Sequence, residues 1–291
     1  MTAPSTTVAP PLIPSGGSTA LVHLSVPGAV VSLSGIAAIL PGLGVRHPLD
    51  VASLQAPVPF ELDPREYLGR KGIRYKDRAT LLGTAAAELA LAEAGLLGRE
   101  PSTRTGVVVA SCYGNVETVC RVAEEIREGG VASISPMDLP NASSNVVAAN
   151  IAIRHGLQGV CLSVCNGHDG GWAAVTWATR LITAGRADTV VVVGVESPSV
   201  YEAQLRGPRA APLVDGAAAC VVRRVGEAPG PFQRALVSEP VRLTDQGVET
   251  ASCGGVLDVV TAAALARTTP GRALDLQPPG AGVPWTVWVD G

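Results

Sequence analysis

The sequence predicts an α/β protein in which buried strands alternate with helices along the chain. From residue 29 onward, near-continuous runs of Val, Ala and Leu alternate with segments that carry apolar residues at helical spacing. Such runs are typical of strands that are buried on both faces of a sheet. Hydrophobic residues make up 47% of the 291 residues and charged residues only 16%, which is enough apolar material for a large core. We therefore expect a layered domain with crossover connections.

Six apolar runs are the predicted strands, and five segments are the predicted helices. The strands are expected at residues 30–33, 105–110, 159–164, 189–195, 217–223 and 286–289. The helices are expected at residues 78–94, 116–128, 144–154, 171–184 and 255–266. Thr80 and Ser144 are candidate N-terminal caps, because a hydroxyl can accept a hydrogen bond from a free N–H of the first turn. Gly95 and Gly185 stand where two of these helices should end.

Composition and charge narrow the class of protein. A formal net charge of -3 gives no basic field for binding nucleic acid. Glycine and proline interrupt the apolar run at 29–45, so we expect no membrane helix. No positive stretch precedes an apolar segment at the N-terminus, and six cysteines are too few for a disulfide framework, so we expect a cytoplasmic protein. Residues 1–18, rich in Pro, Ser and Thr, are predicted to be a flexible tail.

The turn over residues 162–171, with the sequence LSVCNGHDGG, is the most informative segment for function. A buried strand is predicted to end here and a helix to begin, and three glycines permit a tight turn. Side chains at such a turn lie close to free N–H groups and to the positive end of the helix dipole, both of which favour anions. Enzymes use this geometry to activate a nucleophile and to hold an oxyanion.

Several segments resemble the β-ketoacyl-(acyl carrier protein) synthases, which are the condensing enzymes of fatty acid and polyketide assembly. The matching segments are 70–78 (RKGIRYKDR), an Ala-rich helix that ends at Gly95, 106–111 (GVVVAS), 135–145 (SPMDLPNASSN), 180–188 (RLITAGRAD) with the run that follows it, and 215–222 (DGAAACVV). Their order and spacing agree over about residues 29–224. The resemblance implies a thiolase-like layered α/β/α/β/α fold, with residues 19–224 as a ketosynthase N-terminal-like half.

The resemblance also places the catalytic position of the family. Counting back from Arg180, the family's nucleophilic cysteine corresponds to His168, whereas Cys165 lies three residues earlier at the expected strand end. The family needs two histidines and a lysine downstream of its cysteine. This sequence has no histidine after His168, and its only lysines are Lys71 and Lys76. We therefore expect a chain that is inactive in condensation by itself.

Residues 225–291 are predicted to be a shortened C-terminal half. Residues 250–265 resemble a late family helix that begins with a small-residue turn, and residues 284–290 resemble a closing strand. The family's Gly/Phe-rich active-site loop and the segment that carries its first histidine have no counterpart. The second half of the duplicated fold is therefore expected to be abbreviated.

Two interpretations of the candidate residues stay open. A neutral His168 imidazole at a helix start could accept an acyl group or act as a base, or the position could be a relic filled by a hydrogen-bonded histidine. Cys161, Cys165 and His168 have a spacing that suggests a metal site, but alternation along a strand should separate them and no fourth ligand is nearby. We expect no metal and no cofactor.

Two further groups of residues have a functional and a structural interpretation. A basic cluster could dock an acidic carrier protein, or it could be a solvated face, since Glu66 and Asp77 lie within it. The cluster consists of Arg65, Arg70, Lys71, Arg74, Lys76 and Arg78. Trp172 and Trp177 follow the candidate turn, and packing is the expected role of both.

The leading hypothesis is a non-catalytic subunit similar to the chain-length factors of type II polyketide synthases. Such a subunit pairs with an active ketosynthase, and both act with an acyl carrier protein. In the family, the strand before the nucleophile pairs across the dimer axis, so residues 159–164 are the expected interface, in a heterodimer or with a second copy. One alternative is an acyltransferase or thioester hydrolase that acts through His168 or Cys165. Another is a structural remnant or interaction protein.

Overall fold

The computed structural model describes residues 21–40, 63, 65–69, 72–226, 251–268, 270, 273–280 and 283–289. The strands are β1 (Val22–Val26), β2 (Ala29–Ile39), β3 (Thr105–Ala110), β4 (Cys161–Val164), β5 (Thr189–Glu196), β6 (Gly216–Arg224), β7 (Ala273–Leu276) and β8 (Trp285–Val289). The helices are α1 (Arg65–Leu68), α2 (Arg78–Glu93), α3 (Val116–Gly129), α4 (Val146–His155), α5 (Gly170–Thr183), α6 (Val200–Arg206) and α7 (Ala251–Thr268). The predicted tail at 1–18 lies outside the described residues.

The eight strands form one mixed sheet in the order β4-β3-β5-β6-β2-β1-β8-β7. Strand β3 is parallel to both of its neighbours, β4 and β5, and the remaining pairs are antiparallel. Every residue of β5 and the first seven residues of β6 are buried. The prediction of strands buried on both faces is thus confirmed for the centre of the sheet.

Helices cover both faces of the sheet and create two hydrophobic cores. Along β5, Val190 and Val192 pack in the core with α5 and α7, whereas Val191, Val193 and Val195 pack in the core with α2 and α4. This alternation follows from the two-residue period of a strand. The layered α/β prediction is confirmed. The described residues contribute one sheet and therefore three of the five expected layers.

The helix caps differ from the sequence prediction. Asp77, not Thr80, is the N-cap of α2, and its Oδ1 accepts a hydrogen bond from the Thr80 N–H at 2.7 Å. A carboxylate three residues ahead satisfies that donor better than a hydroxyl within the first turn can. Asn145, not Ser144, precedes α4. Gly95 and Gly185 do follow helix ends, with φ of 66° and 68°.

Four elements were not predicted: β1, β7, α1 and α6. Strand β1 pairs with β2 across a turn at Gly28, which has a φ of 83°, and its other edge pairs with β8. Short strands such as β1 and β7 owe their conformation to these partners rather than to a strong local pattern. Helix α6 begins with a capping box between Ser199 and Glu202, a pattern that is visible in the sequence.

The described C-terminal elements pack onto the same sheet as the N-terminal ones. Helix α7 is apolar on all sides and lies against α5 and the sheet. Helices α7 and α5 approach closely, since a Cβ on Gly255 of α7 would lie 2.5 Å from the backbone nitrogen of Trp172 of α5. Glu93 of α2 forms an ion pair with Arg267 of α7 and accepts the Ile36 N–H at 2.7 Å. Among the described residues, no helix combines the length and apolar character needed to cross a bilayer.

Candidate functional site

The predicted strand-to-helix turn lies between β4 and α5. Strand β4 ends at Val164, Cys165 and Asn166 follow, and a single 3₁₀ turn at Gly167–Asp169 leads directly into α5. Gly167 has a φ of 61°, a conformation that side chains other than glycine rarely adopt. The chain therefore reverses sharply here, and the turn lies at the N-terminal end of a fourteen-residue helix.

The loop that follows β3 supports this turn. The Ser111 N–H donates to the Val164 carbonyl at 3.1 Å, which continues the parallel β3–β4 ladder by one residue. The Cys165 thiol donates to the Ser111 carbonyl at 3.0 Å. The Gly167 N–H donates to the Cys112 sulfur at 3.1 Å. These contacts join the ends of two neighbouring parallel strands into one unit.

Glu196, at the end of β5, holds the loop that follows β3 through hydrogen bonds. Its side chain is fully buried, and its two oxygens accept the N–H groups of Cys112 at 2.9 Å and Tyr113 at 3.0 Å. Charge-assisted hydrogen bonds of this kind are stronger than neutral ones and fix the loop geometry. The sequence analysis missed Glu196 and Cys112. An acidic residue at the end of an otherwise apolar strand was the available indication of Glu196, because buried carboxylates need partners.

The two predicted site residues, His168 and Cys165, are both exposed on the turn. His168 lies in the 3₁₀ segment, two residues before α5 begins. Desolvation of the sulfur raises the pKa of the Cys165 thiol, and the nearby Cys112 and Glu196 raise it further. Little thiolate is therefore present at neutral pH, which makes Cys165 a weak nucleophile.

The three residues with metal-like spacing are not arranged as a ligand set. Cys161 begins β4 opposite Val107, whereas Cys165 lies beyond the end of the strand. At about 3.3 Å per residue, these two cysteines are roughly 13 Å apart along the chain. Within the described ranges, no group of three or more His, Cys, Asp or Glu residues is placed to hold a metal ion.

One residue of the basic cluster, Arg78, forms an ion pair within the fold. Arg78 pairs with Asp215 through Nε and Nη2 at 2.6–2.8 Å, so its charge is neutralised within the fold. The Arg74 guanidinium lies 4.7 Å from the centre of the Tyr75 ring and is exposed. Arg70 and Lys71 lie outside the described residues. Among the cluster side chains that the structure describes, Arg74 is exposed and Lys76 is half-buried.

The two tryptophans of α5 have different environments. Trp172 is buried and packs edge-to-face on Trp285 of β8, with ring centres 5.1 Å apart. Trp177 is 45% exposed, so packing covers only part of this indole. One side of α5 therefore carries a partly exposed aromatic ring.

Comparison with known proteins identifies the family. The family model of the beta-ketoacyl synthase N-terminal domain matches residues 59–215. The 3-oxoacyl-[acyl-carrier-protein] synthase 2 of Rhizobium meliloti is 35% identical over 135 residues, which is 46% of this chain and 32% of that protein. The chain thus spans about a third of the length of the curated relatives it matches.

Solved structures share the fold. The ishigamide ketosynthase/chain length factor superposes with a TM-score of 0.67 at 18% identity, covering 89% of this chain and 99% of that chain. AntDE:AntF, a type II PKS acyl-carrier protein in complex with its ketosynthase, superposes with a TM-score of 0.66 at 14% identity, covering 94% of this chain and 100% of that chain. These similarities confirm the thiolase-like fold class. The chain belongs to the β-ketoacyl synthase family, through the N-terminal domain of that family.

Proposed function

We propose that this protein is a non-catalytic, chain-length-factor-like subunit that pairs with an active ketosynthase of fatty acid or polyketide biosynthesis. The observation that carries the proposal is His168, the residue that counting back from Arg180 aligns with the family's nucleophilic cysteine. The sequence contains no histidine after this position. A condensing enzyme of this family requires both groups, so this chain by itself has no means of holding and extending an acyl group.

The backbone of the turn is in place but the side chain at position 168 is not a cysteine, and this contrast supports the proposal. The strand, the 3₁₀ turn and the helix that would present a nucleophile are all in place. Two hydrogen bonds to Glu196 hold the loop at Cys112, and three more join residues 111 and 112 of this loop to the end of β4 and the turn, each between 2.9 and 3.1 Å. The fold has thus kept the frame of the site while the reactive side chain differs. That combination suits a subunit whose role is to shape a partner's site.

The sheet edge at β4 is the first part of the proposed partner surface. Strand β4 lies at the end of the sheet, with β3 as its neighbour on one side, and Cys161 on it is exposed. An edge strand presents N–H and C=O groups that can pair with another chain. Pairing in this way would extend the sheet into a second subunit, as expected for the family's strand at this position.

Exposed apolar side chains on α3, on α6 and on the segments that contact α3 are the second part of this proposed surface, here called the α3–α6 patch. Its members are Val119, Val131, Met137, Leu139, Val200 and Leu205. Hydrogen bonds hold its elements together, from Tyr201 of α6 to Glu124 of α3 and from Arg121 of α3 to Asp138. Clustered exposed apolar residues are typical of protein interfaces. The partner should therefore cover this patch.

The first experiment tests the absence of catalysis. The purified protein, incubated with malonyl and acyl thioesters of an acyl carrier protein, should give no ketoacyl product by mass spectrometry. His168→Cys should also give none, because the downstream histidines are still missing. Product from either protein would overturn the proposal.

The second experiment tests the partner. Co-expression with a ketosynthase encoded beside this gene, followed by size-exclusion chromatography and mass photometry, should give a heterodimer. Met137→Asp, in a residue that is 56% exposed on the patch, should weaken the complex, because a carboxylate would be desolvated at the interface. Val283→Asp is the matched control, since Val283 is also 56% exposed but precedes β8, far from β4 in the strand order. A stable monomer in the presence of every neighbouring ketosynthase would contradict the proposal.

The exposure of His168 and Cys165 favours one alternative, an acyltransferase or thioester hydrolase. Both side chains are open to solvent beside the N-terminus of α5, where an oxyanion would be stabilised. Incubation with acyl thioesters would then leave an adduct on the 162–180 peptide that disappears in His168→Ala or Cys165→Ala. We expect no stoichiometric adduct, because the raised pKa of Cys165 keeps it protonated. A residue-specific adduct would support the enzyme.

A further inference from the structure

A groove runs along α5 from the candidate turn towards the C-terminal end of the helix. Its volume is about 390 Å³, which lies within the range of small-molecule sites. Three segments form its walls: α5 itself, the turn between β1 and β2 at Pro27 and Gly28, and the β7–β8 loop at Pro278 and Pro279. Trp172 and Trp285 separate the groove from the core formed with α7, so the groove lies at the surface.

The middle of the groove is apolar. Trp172 and Trp285 lie in its wall, and both are less than a tenth exposed. Thr176 and Thr183 also line it, but each hydroxyl donates to a carbonyl of α5 four residues earlier, at 2.9 and 3.0 Å. Their hydrogen-bonding needs are therefore met within the helix, and their methyl groups can contact a ligand. This part of the groove suits a hydrocarbon chain.

The two ends of the groove carry opposite charges. Asp169 lines the end beside the candidate turn, and Arg180 lines the other end. At 1.5 Å per residue, these positions are about 16 Å apart along the helix. Arg180 is exposed, and it forms no ion pair with any other residue in the described part of the chain. A guanidinium at one end of an apolar groove can bind a carboxylate or phosphate group through charge-assisted hydrogen bonds.

We propose that this groove binds an elongated apolar ligand with a single anionic head group. The head group pairs with Arg180, and the apolar chain lies over Trp172 and Trp285 towards the candidate turn. Asp169 sets this orientation, because its carboxylate repels an anionic head group from the end of the groove beside the turn. The site requires neither catalysis nor a partner subunit, and it therefore stands independently of the proposed function.

The experiment titrates the full chain with dodecanoate, dodecyl phosphate and dodecanol below their aggregation concentrations. Tryptophan fluorescence reports the binding, because Trp172 and Trp285 line the groove, and calorimetry provides a second measurement. At least one of the two anions should bind, and the one that binds more tightly identifies the head group. Dodecanol should bind at least about tenfold more weakly, since it lacks a charge-assisted hydrogen bond.

Two variants locate the site. Arg180→Gln should weaken anion binding by about tenfold, because the hydrogen bond to a cation is lost. Arg186→Gln is the matched control, since Arg186 is exposed just beyond α5 and does not line the groove. Ala173→Phe should fill the groove and abolish binding. The proposal is overturned if neither anion binds, if dodecanol binds as tightly, or if Arg180→Gln binds like the unchanged protein.

Discussion

The centre of the sheet and its β4 edge differ, although both are built on β3. Strands β4 and β5 flank β3 in the same parallel orientation. All eight residues of β5 are buried, whereas Cys161 of β4 is exposed and the other three residues are half-buried. Strand β5 has neighbouring strands on both sides and helices on both faces, while β4 has one neighbouring strand among the described residues.

This difference separates the part of the molecule that provides stability from the part that carries the candidate site. The buried stretches 190–195 of β5 and 216–222 of β6 contain Val, Ala and Gly with a single Cys, and they pack closely with helices on both faces. The edge contains Cys, Ser and Asn and continues into the exposed turn. Changes at the edge cost little packing energy, so the side chain at position 168 can change while the fold persists.

The largest expected contrast between the two regions is in thiol reactivity. Burial raises the pKa of the Cys220 thiol from 9.0 to about 12, which leaves about a thousandfold less thiolate at a given pH. Cys253 is also buried and has a raised pKa, whereas Cys161 and Cys165 are exposed. Desolvation also raises the pKa of Cys161 and Cys165, but by less. Excess iodoacetamide at pH 8 should therefore label these two exposed residues slowly in the folded protein and spare the two buried ones, as measured by peptide mass spectrometry.

The pH dependence of this burial has a definite sign. The folded Cys220 thiol holds its proton more tightly than the unfolded thiol, so its contribution to stability is complete below pH 9 and is lost as the pH rises towards about 12. Denaturant unfolding between pH 8 and pH 11 should show the loss. In the labelling experiment, rapid modification of Cys220 at pH 8 in the folded protein would contradict the burial of this thiol.

The next contrast is in packing energy. Val192→Ala in β5 removes two buried methyl groups and should lower the free energy of unfolding by about 2–3 kcal/mol. Val164→Ala in the half-buried β4 should cost about 1 kcal/mol. Urea denaturation of both variants measures the difference. Equal losses would mean that the edge is as well packed as the centre.

The smallest contrast concerns the connection between the two regions at Glu196. Glu196→Ala leaves the N–H groups of Cys112 and Tyr113 without their acceptor and should cost about 2 kcal/mol. Glu196→Gln keeps one carbonyl acceptor and should cost less. Hydrogen exchange should become faster at these two amides and in the 165–169 turn, with β5 unaffected. Unchanged exchange in the turn would show that Glu196 does not support the site.

The sequence by itself determined the central strands, the main helices and the site turn. Segment 105–110 was predicted at the bounds observed for β3, because a run of apolar residues buried on both faces needs no partner to be recognised. The turn at Gly167 was predicted because glycine spacing and the change from strand to helical pattern are local properties. His168 was placed by counting residues within a resemblance, which also depends on the sequence alone.

Only the tertiary structure decided which distant residues meet at the site. Glu196, Cys112 and Gly167 are far apart in sequence, and their contacts arise because β3, β4 and β5 are adjacent and end at the same side of the sheet. The groove likewise lies between α5 and two loops, one connecting β1 to β2 and the other connecting β7 to β8. Strand order and helix docking depend on the summed burial of many side chains, and no local pattern encodes that sum.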